Sequence, residues 1–273
     1  MSFAQKYGPW AVVAGASDGV GAAFAERIAA EGVNVVLLAR RQSALDSVAA
    51  RIGERTGAET RTLAVDLADA GATARIAEAT DDLDVGLLVY CAGADPNFKP
   101  FLSQPVEVAE AMVQRNCVAP MRLCHHFAPA MVGRGRGGIV IFGSGAGLAG
   151  GPNMVAYGAS KAFDMVFAEA LWAELHDRGV DVLGLILGKT DTPALRTLEH
   201  SRGQLATTDD IPSGAAPVTD VVNEAFDNIA NGPTWIVGED LRAATQMMGS
   251  ISRSDAVRFI VEASAAAMGS DAR

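Results

Sequence analysis

Seven short apolar runs, each separated from the next by a stretch of helical character, constrain this chain more than any other feature. They fall at residues 10–14, 33–39, 60–65, 85–91, 138–142, 180–187 and 234–237. Their apolar residues run on without alternating, as in Val35-Val36-Leu37-Leu38, so both faces of such strands need cover. Strands of that kind lie parallel, with helices above and below the sheet. Helical stretches at 19–31, 43–55, 70–80, 106–131, 155–178 and 219–230 supply the cover, their faces mostly Ala, Leu and Val. The expected architecture is α/β, a doubly wound parallel sheet of seven strands. No linker, composition break or repeat divides the 273 residues, so a single domain over 1–273 is expected. Segment 193–217 stands apart; polar and weakly periodic, it reads as a flexible loop on the substrate side. Residues 251–267 read as one more helix and 268–273 as a frayed end.

Charge and cysteine usage exclude several classes of function. Twenty-two basic against 32 acidic side chains give a net charge of −10, the wrong sign for neutralising nucleic-acid phosphates or an anionic membrane. Cys91, Cys117 and Cys124 form no Cys-x-x-Cys pair and leave one unmatched, which fits reduced thiols and a cytoplasmic chain. Export is not signalled at the start of the sequence. The uncharged stretch 137–160 holds eight glycines and a proline, a pattern foreign to a membrane-spanning helix. His125 and His126 diverge on a helix, and His176 and His200 lack partners at ligand spacing, so no metal site is expected.

A nucleotide signal follows the first strand directly. Gly15-Ala16-Ser17-Asp18-Gly19-Val20-Gly21 feeds an Ala-rich helix, and a glycine turn at a helix N-terminus receives a pyrophosphate through close backbone approach and unpaired N–H groups. At the end of the second strand, where an NAD-binding fold offers an acid to the ribose 2′-hydroxyl, the chain has Arg40-Arg41. Arg40 can pair a 2′-phosphate, so NADP(H) is favoured, with NAD(H) still possible and Asp18 adding some repulsion near the phosphates. Asp66, followed by Leu67, either accepts from the adenine amino group or caps the next helix.

The chemistry-bearing residues come later. Tyr157 and Lys161 are four apart at the opening of a helix, which puts phenol and ammonium on one face. A tyrosine is a poor base at neutral pH, and a nearby cation favours its ionised form. Ser144 follows the fifth strand, at the carboxyl end where open α/β sheets place their ligands. Asn116, within the stretch 106–131, reads by itself as a packed or solvated mid-helix polar residue.

Together these features resemble the short-chain dehydrogenase/reductase family, over residues 10–237. The carriers are Gly15-x-x-x-Gly19-x-Gly21, Ala92-Gly93 after strand four, Asn116, Ser144, Tyr157 with Lys161, and Leu187-Gly188-Lys189-Thr190-Asp191-Thr192. The resemblance implies a Rossmann-type sheet of order 3-2-1-4-5-6-7, with Tyr157 as general acid/base and Ser144 holding the substrate oxygen. It further implies Lys161 on the nicotinamide ribose, Asn116 in a water relay and Thr192 at the carboxamide. Ala92, Gly93, Gly188 and Thr190 join the expected cofactor contacts, and a homodimer or homotetramer is implied. Three positions depart from the family pattern: Ala14 for Thr, Tyr90-Cys91 for Asn-Asn, and Leu187 for Pro. At the first two, apolar packing is expected in place of the family's polar interactions. The small, uncharged stretch 145–153 leans towards an apolar or aromatic alcohol or ketone, steroid-like or 3-oxoacyl. The competing reading is a dinucleotide-binding sensor or regulatory protein without chemistry. Serine hydrolysis at Ser144 lacks its elbow, because Phe142 and Ala146 stand where glycines are required.

Overall fold

The computed structural model describes residues 1–94 and 98–268. In chain order the strands are β1 (Trp10–Ala14), β2 (Asn34–Ala39), β3 (Thr60–Ala64), β4 (Val85–Tyr90), β5 (Gly137–Ser144), β6 (Val180–Leu187) and β7 (Thr234–Ile236). They form one parallel sheet of order β3-β2-β1-β4-β5-β6-β7. The helices are α1 (Phe3–Tyr7), α2 (Gly19–Ala30), α3 (Gln42–Thr56), α4 (Ala72–Ala79), α5 (Val106–Val113), α6 (Ala119–Arg134), α7 (Val155–Leu175), α8 (Pro193–Ser201), α9 (Val218–Asn228), α10 (Glu239–Gly249) and α11 (Arg253–Met268).

Continuous apolar strands become two cores because successive side chains leave opposite faces of the pleat. Ala11, Val13, Val35, Leu37, Val140 and Phe142 pack on one face against Phe24 and Ile28 of α2, Leu45 and Ile52 of α3, and Val221 and Ala225 of α9. Val12, Val36, Leu38, Leu88, Ile139 and Ile141 pack on the other against Ile76 of α4, Leu123, Phe127 and Met131 of α6, and Ala168 of α7. Every strand except the edges is thus covered twice, the doubly wound arrangement. Among the described residues no helix is long and apolar enough to cross a membrane.

Several boundaries differ from the sequence expectation. The stretch 106–131 is broken by a π-turn, Gln114–Val118, between α5 and α6. Pro120 has no N–H to give to the preceding turn, and the Ala119 N–H bonds the Gln114 carbonyl instead, five residues back. Segment 193–217 is not all loop. Thr192 caps α8, its Oγ1 accepting from the Leu195 N–H at 3.2 Å, and Pro193 opens the helix with a preset φ. The expected helix at 70–80 starts two residues later, behind Gly71. Two helices lacked an expectation: α1, closed by a reciprocal Ser2/Gln5 capping box, and α10. Of the expected frayed end, Met268 closes α11 and residues 269–273 lie outside the described residues.

Candidate active site

The glycine turn is built by close packing. A Cβ on Gly21 would lie 2.1 Å from the Gly15 carbonyl oxygen, so only glycine lets α2 start against the turn that feeds it. Gly15 and Ala16 both donate to the Leu38 carbonyl, at 2.8 and 3.1 Å, which ties the turn to the end of β2. The Cβ position of Gly19 lies 3.2 Å from the Thr192 methyl, so the loop after β6 closes over the turn. Val20 is buried behind it, and Ser17 is partly exposed. Asp18 precedes α2 with no side-chain cap of its own; its Oδ2 accepts from Arg41 Nη2 at 2.7 Å. The second arginine of the pair, rather than the first, therefore faces the turn. Arg40 is exposed beside it, outside that ion pair.

Asp66 accepts from the Ala68 N–H at 3.0 Å and so closes a turn after β3, ahead of the helix that one of its two readings has it cap, while Leu67 is buried. Thr190 donates to the Gly188 carbonyl at 3.3 Å and bridges to Ala216. Asp191 takes both arms of Arg196, at 2.6 and 2.7 Å, and Lys189 pairs with Glu199 at 2.6 Å. The loop after β6 is thereby tied to α8.

The substituted positions at the ends of β1 and β4 show what stands in for the polar interactions. Ala14 is fully buried opposite Tyr90, and the Cys91 N–H donates to the Ala14 carbonyl at 2.9 Å. Apolar packing plus a backbone bond is found there, as expected. Tyr90 adds a bond of its own, its hydroxyl donating to the Arg115 carbonyl within the π-turn. Beside it Asn116 is fully buried and donates through Nδ2 to Ser160 Oγ at 2.8 Å and to the Gly93 carbonyl at 3.2 Å. The mid-helix reading of this residue is corrected: it sits on the π-turn and joins the end of β4 to α7.

The first turn of α7 packs on the short turn Gly145–Gly147 that follows β5. Ser144 ends β5, its Oγ accepting from the Ala146 N–H at 3.2 Å. Tyr157 is half-buried, edge-on to Phe98 with ring centres 5.7 Å apart. Lys161 is buried one turn on, donating to the Phe142 carbonyl at 2.7 Å and to Asp164 Oδ2 at 2.9 Å. Burial presses the ammonium down, but the nearby Asp164 and Tyr157 hold its pKa above the ordinary lysine value. Burial also pushes the Asp164 carboxyl up to about 6, against the pull of Lys161. The pair is ionised at neutral pH.

Two features of the site escape a reading of the sequence. The stretch 145–153 is expected beside the substrate. Ala146, Gly147, Ala149, Gly150 and Gly151 of that stretch line an open cavity of about 430 Å³, shared with Val155 and Gly158 beside Tyr157 and flanked by Val257 and Val261 of α11. The small cleft that includes Tyr157 is lined by Phe101, Gln104, Pro105, Val108, Met112 and Val155. Val108 and Met112 are four apart on one face of α5, a spacing visible in the sequence. Asp164 is the second, although an acid between Phe163 and Met165, three residues past Lys161, marks a polar side chain placed among apolar ones.

The model of the short chain dehydrogenase family matches residues 9–203. A 7beta-hydroxysteroid dehydrogenase of Collinsella aerofaciens is 34% identical over 245 residues, 88% of this chain and 89% of that one. A solved structure described as bearing on 7beta-hydroxysteroid dehydrogenase stereoselectivity superposes with a TM-score of 0.85 at 32% identity, covering 95% of this chain and 99% of its own. A short-chain dehydrogenase from Sphingobium yanoikuyae, solved with NADPH, superposes with a TM-score of 0.73 at 29% identity, covering 89% and 96%.

Proposed function

The chain belongs to the short-chain dehydrogenase family and is an oxidoreductase acting on CH–OH groups, and from that premise we propose that it interconverts a bulky apolar alcohol and its ketone with NADP(H), Tyr157 moving the hydroxyl proton. The observation that carries this reading is the seating of Tyr157 at the apolar cleft, one helical turn from a buried ammonium. The glycine turn fits a dinucleotide, since a Cβ at Gly21 would fill the space in which the turn closes.

Gly15, Ser17, Asp18, Gly19, Val20 and Gly21 would hold the pyrophosphate, Arg40 the 2′-phosphate, Asp66 and Leu67 the adenine end. Ala92, Gly93, Gly188, Thr190 and Thr192 would flank the nicotinamide. A dinucleotide held there would supply hydride-transfer chemistry, accepting hydride from the carbinol carbon or donating it to the carbonyl carbon. Tyr157 Oη takes the hydroxyl proton in the oxidative direction and returns it in the reductive one. Ser144 Oγ orients the substrate oxygen. Of the three ammonium protons of Lys161, two are committed to Phe142 and Asp164. The third serves the ribose, while the charge eases ionisation of Tyr157. Asn116 holds the turn at which a water relay would start.

The named 7beta-hydroxysteroid dehydrogenases support a steroid-like substrate. The NADPH-bound neighbour and the exposed Arg40 support NADP(H). Exposed Val113 and Val166 on α5 and α7 support a homo-oligomer, and the reduced cysteines a cytoplasmic setting. The sensor reading is not favoured, because Tyr157, Lys161, Ser144 and Asn116 are all present. In the test, Tyr157→Phe lowers steroid-ketone turnover about 10²- to 10⁴-fold while NADPH still quenches tryptophan fluorescence. Unchanged turnover would sink the assignment of Tyr157, and equal NADH affinity that of Arg40.

A further inference from the structure

Asp164 is hard to explain by folding. Its side chain is 1% exposed, Oδ2 accepts from Lys161, and the buried Oδ1 has no hydrogen-bond partner among the described residues. A buried carboxylate oxygen without a donor is costly, and well-packed apolar residues in place of a buried ion pair are often neutral or stabilising. What the acid does touch is the lysine of the proposed proton-transfer pair.

The other titratable groups around this ion pair come from the end of β4, the π-turn, α6 and α7. Tyr90 stands on β4 and Cys91 just after it, Cys117 on the π-turn, Cys124 on α6, and Tyr157 on α7 itself. Burial raises Tyr90 and all three thiols, Cys91 to about 12 and Cys117 to about 11, so they stay uncharged at neutral pH. The Arg115 guanidinium, also nearby, is engaged with the Ala94 carbonyl and Asn116 Oδ1. The charge that Lys161 presents to Tyr157 is therefore set chiefly by Asp164.

We propose that Asp164 is a positioning residue: it fixes the Lys161 ammonium at the end of β5 and offsets the positive charge that Tyr157 meets, so the phenol ionises less readily than the lysine alone would make it. The inference rests on the roles assigned above to Tyr157 and Lys161. Because the carboxyl titrates near 6, the offset is present at neutral pH and withdrawn in acid.

Tyrosinate absorbance, measured in the protein without added dinucleotide, tests it directly. The chain has three tyrosines, burial raises Tyr7 and Tyr90 far above the ordinary range, and the inflection that Tyr157→Phe removes is the one followed. Asp164→Asn is expected to move that inflection to lower pH by about one unit, and Lys161→Met to higher pH. Asp164→Glu, which keeps the charge, returns it towards the parent position. An Asp164→Asn titration that overlays the parent curve, in a protein with unchanged circular dichroism, overturns the proposal. Should the asparagine prevent folding, Asp164→Leu removes the same charge in an apolar form and is read the same way. Tyr157→Phe separates the two claims. If it turns over normally, the assignment of the proton-transfer residue fails, whereas the absorbance comparison still decides the role of Asp164.

Discussion

Gly147 is the position at which one methyl group should cost both stability and turnover. It lies in the turn after β5, and a Cβ there would sit 2.7 Å from the backbone nitrogen of Ala162 and 2.7 Å from the carbonyl carbon of Lys161. Both obstacles are main chain, so no rotamer change relieves them. Reaching an ordinary separation of 3.4 Å requires the turn and α7 to part by 3.4 − 2.7 = 0.7 Å. Overpacking of this kind costs about 1–3 kcal/mol. For 273 residues, at about 2 cal/mol/K of unfolding entropy each, that lowers Tm by about 2–5 °C. The turn carries Ser144 at its start and α7 carries Tyr157, so the same movement shifts the two proposed reacting groups relative to each other. Misplacement approaching 1 Å reduces kcat about 10²-fold. Gly147→Ala is measured by thermal melting and by steroid-ketone turnover against Gly150→Ala, a neighbouring glycine whose added Cβ would meet nothing within 4 Å. If the two variants melt and turn over alike, the packing argument is wrong.

Asn116→Ala removes two donated bonds and leaves the Gly93 carbonyl without its donor, so Tm should fall by about 5 °C, equivalent to about 3 kcal/mol; a change under about 1 °C would show that water replaces the amide there. The Asp164 carboxyl is raised in the folded protein, from 3.8 to about 6, so the native state binds the extra proton. Between about pH 6 and 4 the parent should therefore gain stability relative to Asp164→Asn as the pH falls, by up to about 3 kcal/mol. Denaturant melts at pH 7.5 and 4.5, chosen as roughly bracketing values for this linkage, check the sign.

The central sheet was legible because five of its strands are buried on both sides, and such burial writes itself as unbroken apolar runs like Val35-Val36-Leu37-Leu38. The strand order came with the family resemblance and not from those runs. The site was legible where chemistry depends on spacing, as for Tyr157 and Lys161. It was hidden where geometry depends on hydrogen bonds between distant segments. Nothing local to Asn116 tells that Tyr90 serves the carbonyl of Arg115, although Pro120 was a signal that the helix could not run on unaltered. The polar surface of residues 193–201 masked a short helix whose Thr192-Pro193 start was in plain sight. Nor could residue order tell that Arg41, one position past the expected phosphate ligand, would be claimed by Asp18.

The π-turn has a consequence for how this active site can change. One surplus residue in a helix rotates everything beyond it by about a quarter turn relative to everything before it. Val108 and Met112 consequently wall the cleft, while Leu123, Phe127 and Met131, further along the same rod, are sunk in the sheet core. The two halves answer to different masters. Val108, partly exposed, can be exchanged to reshape the pocket at little cost to the fold, Met112 is buried and serves both, and Leu123, Phe127 and Met131 bear on the core and not on the pocket lining.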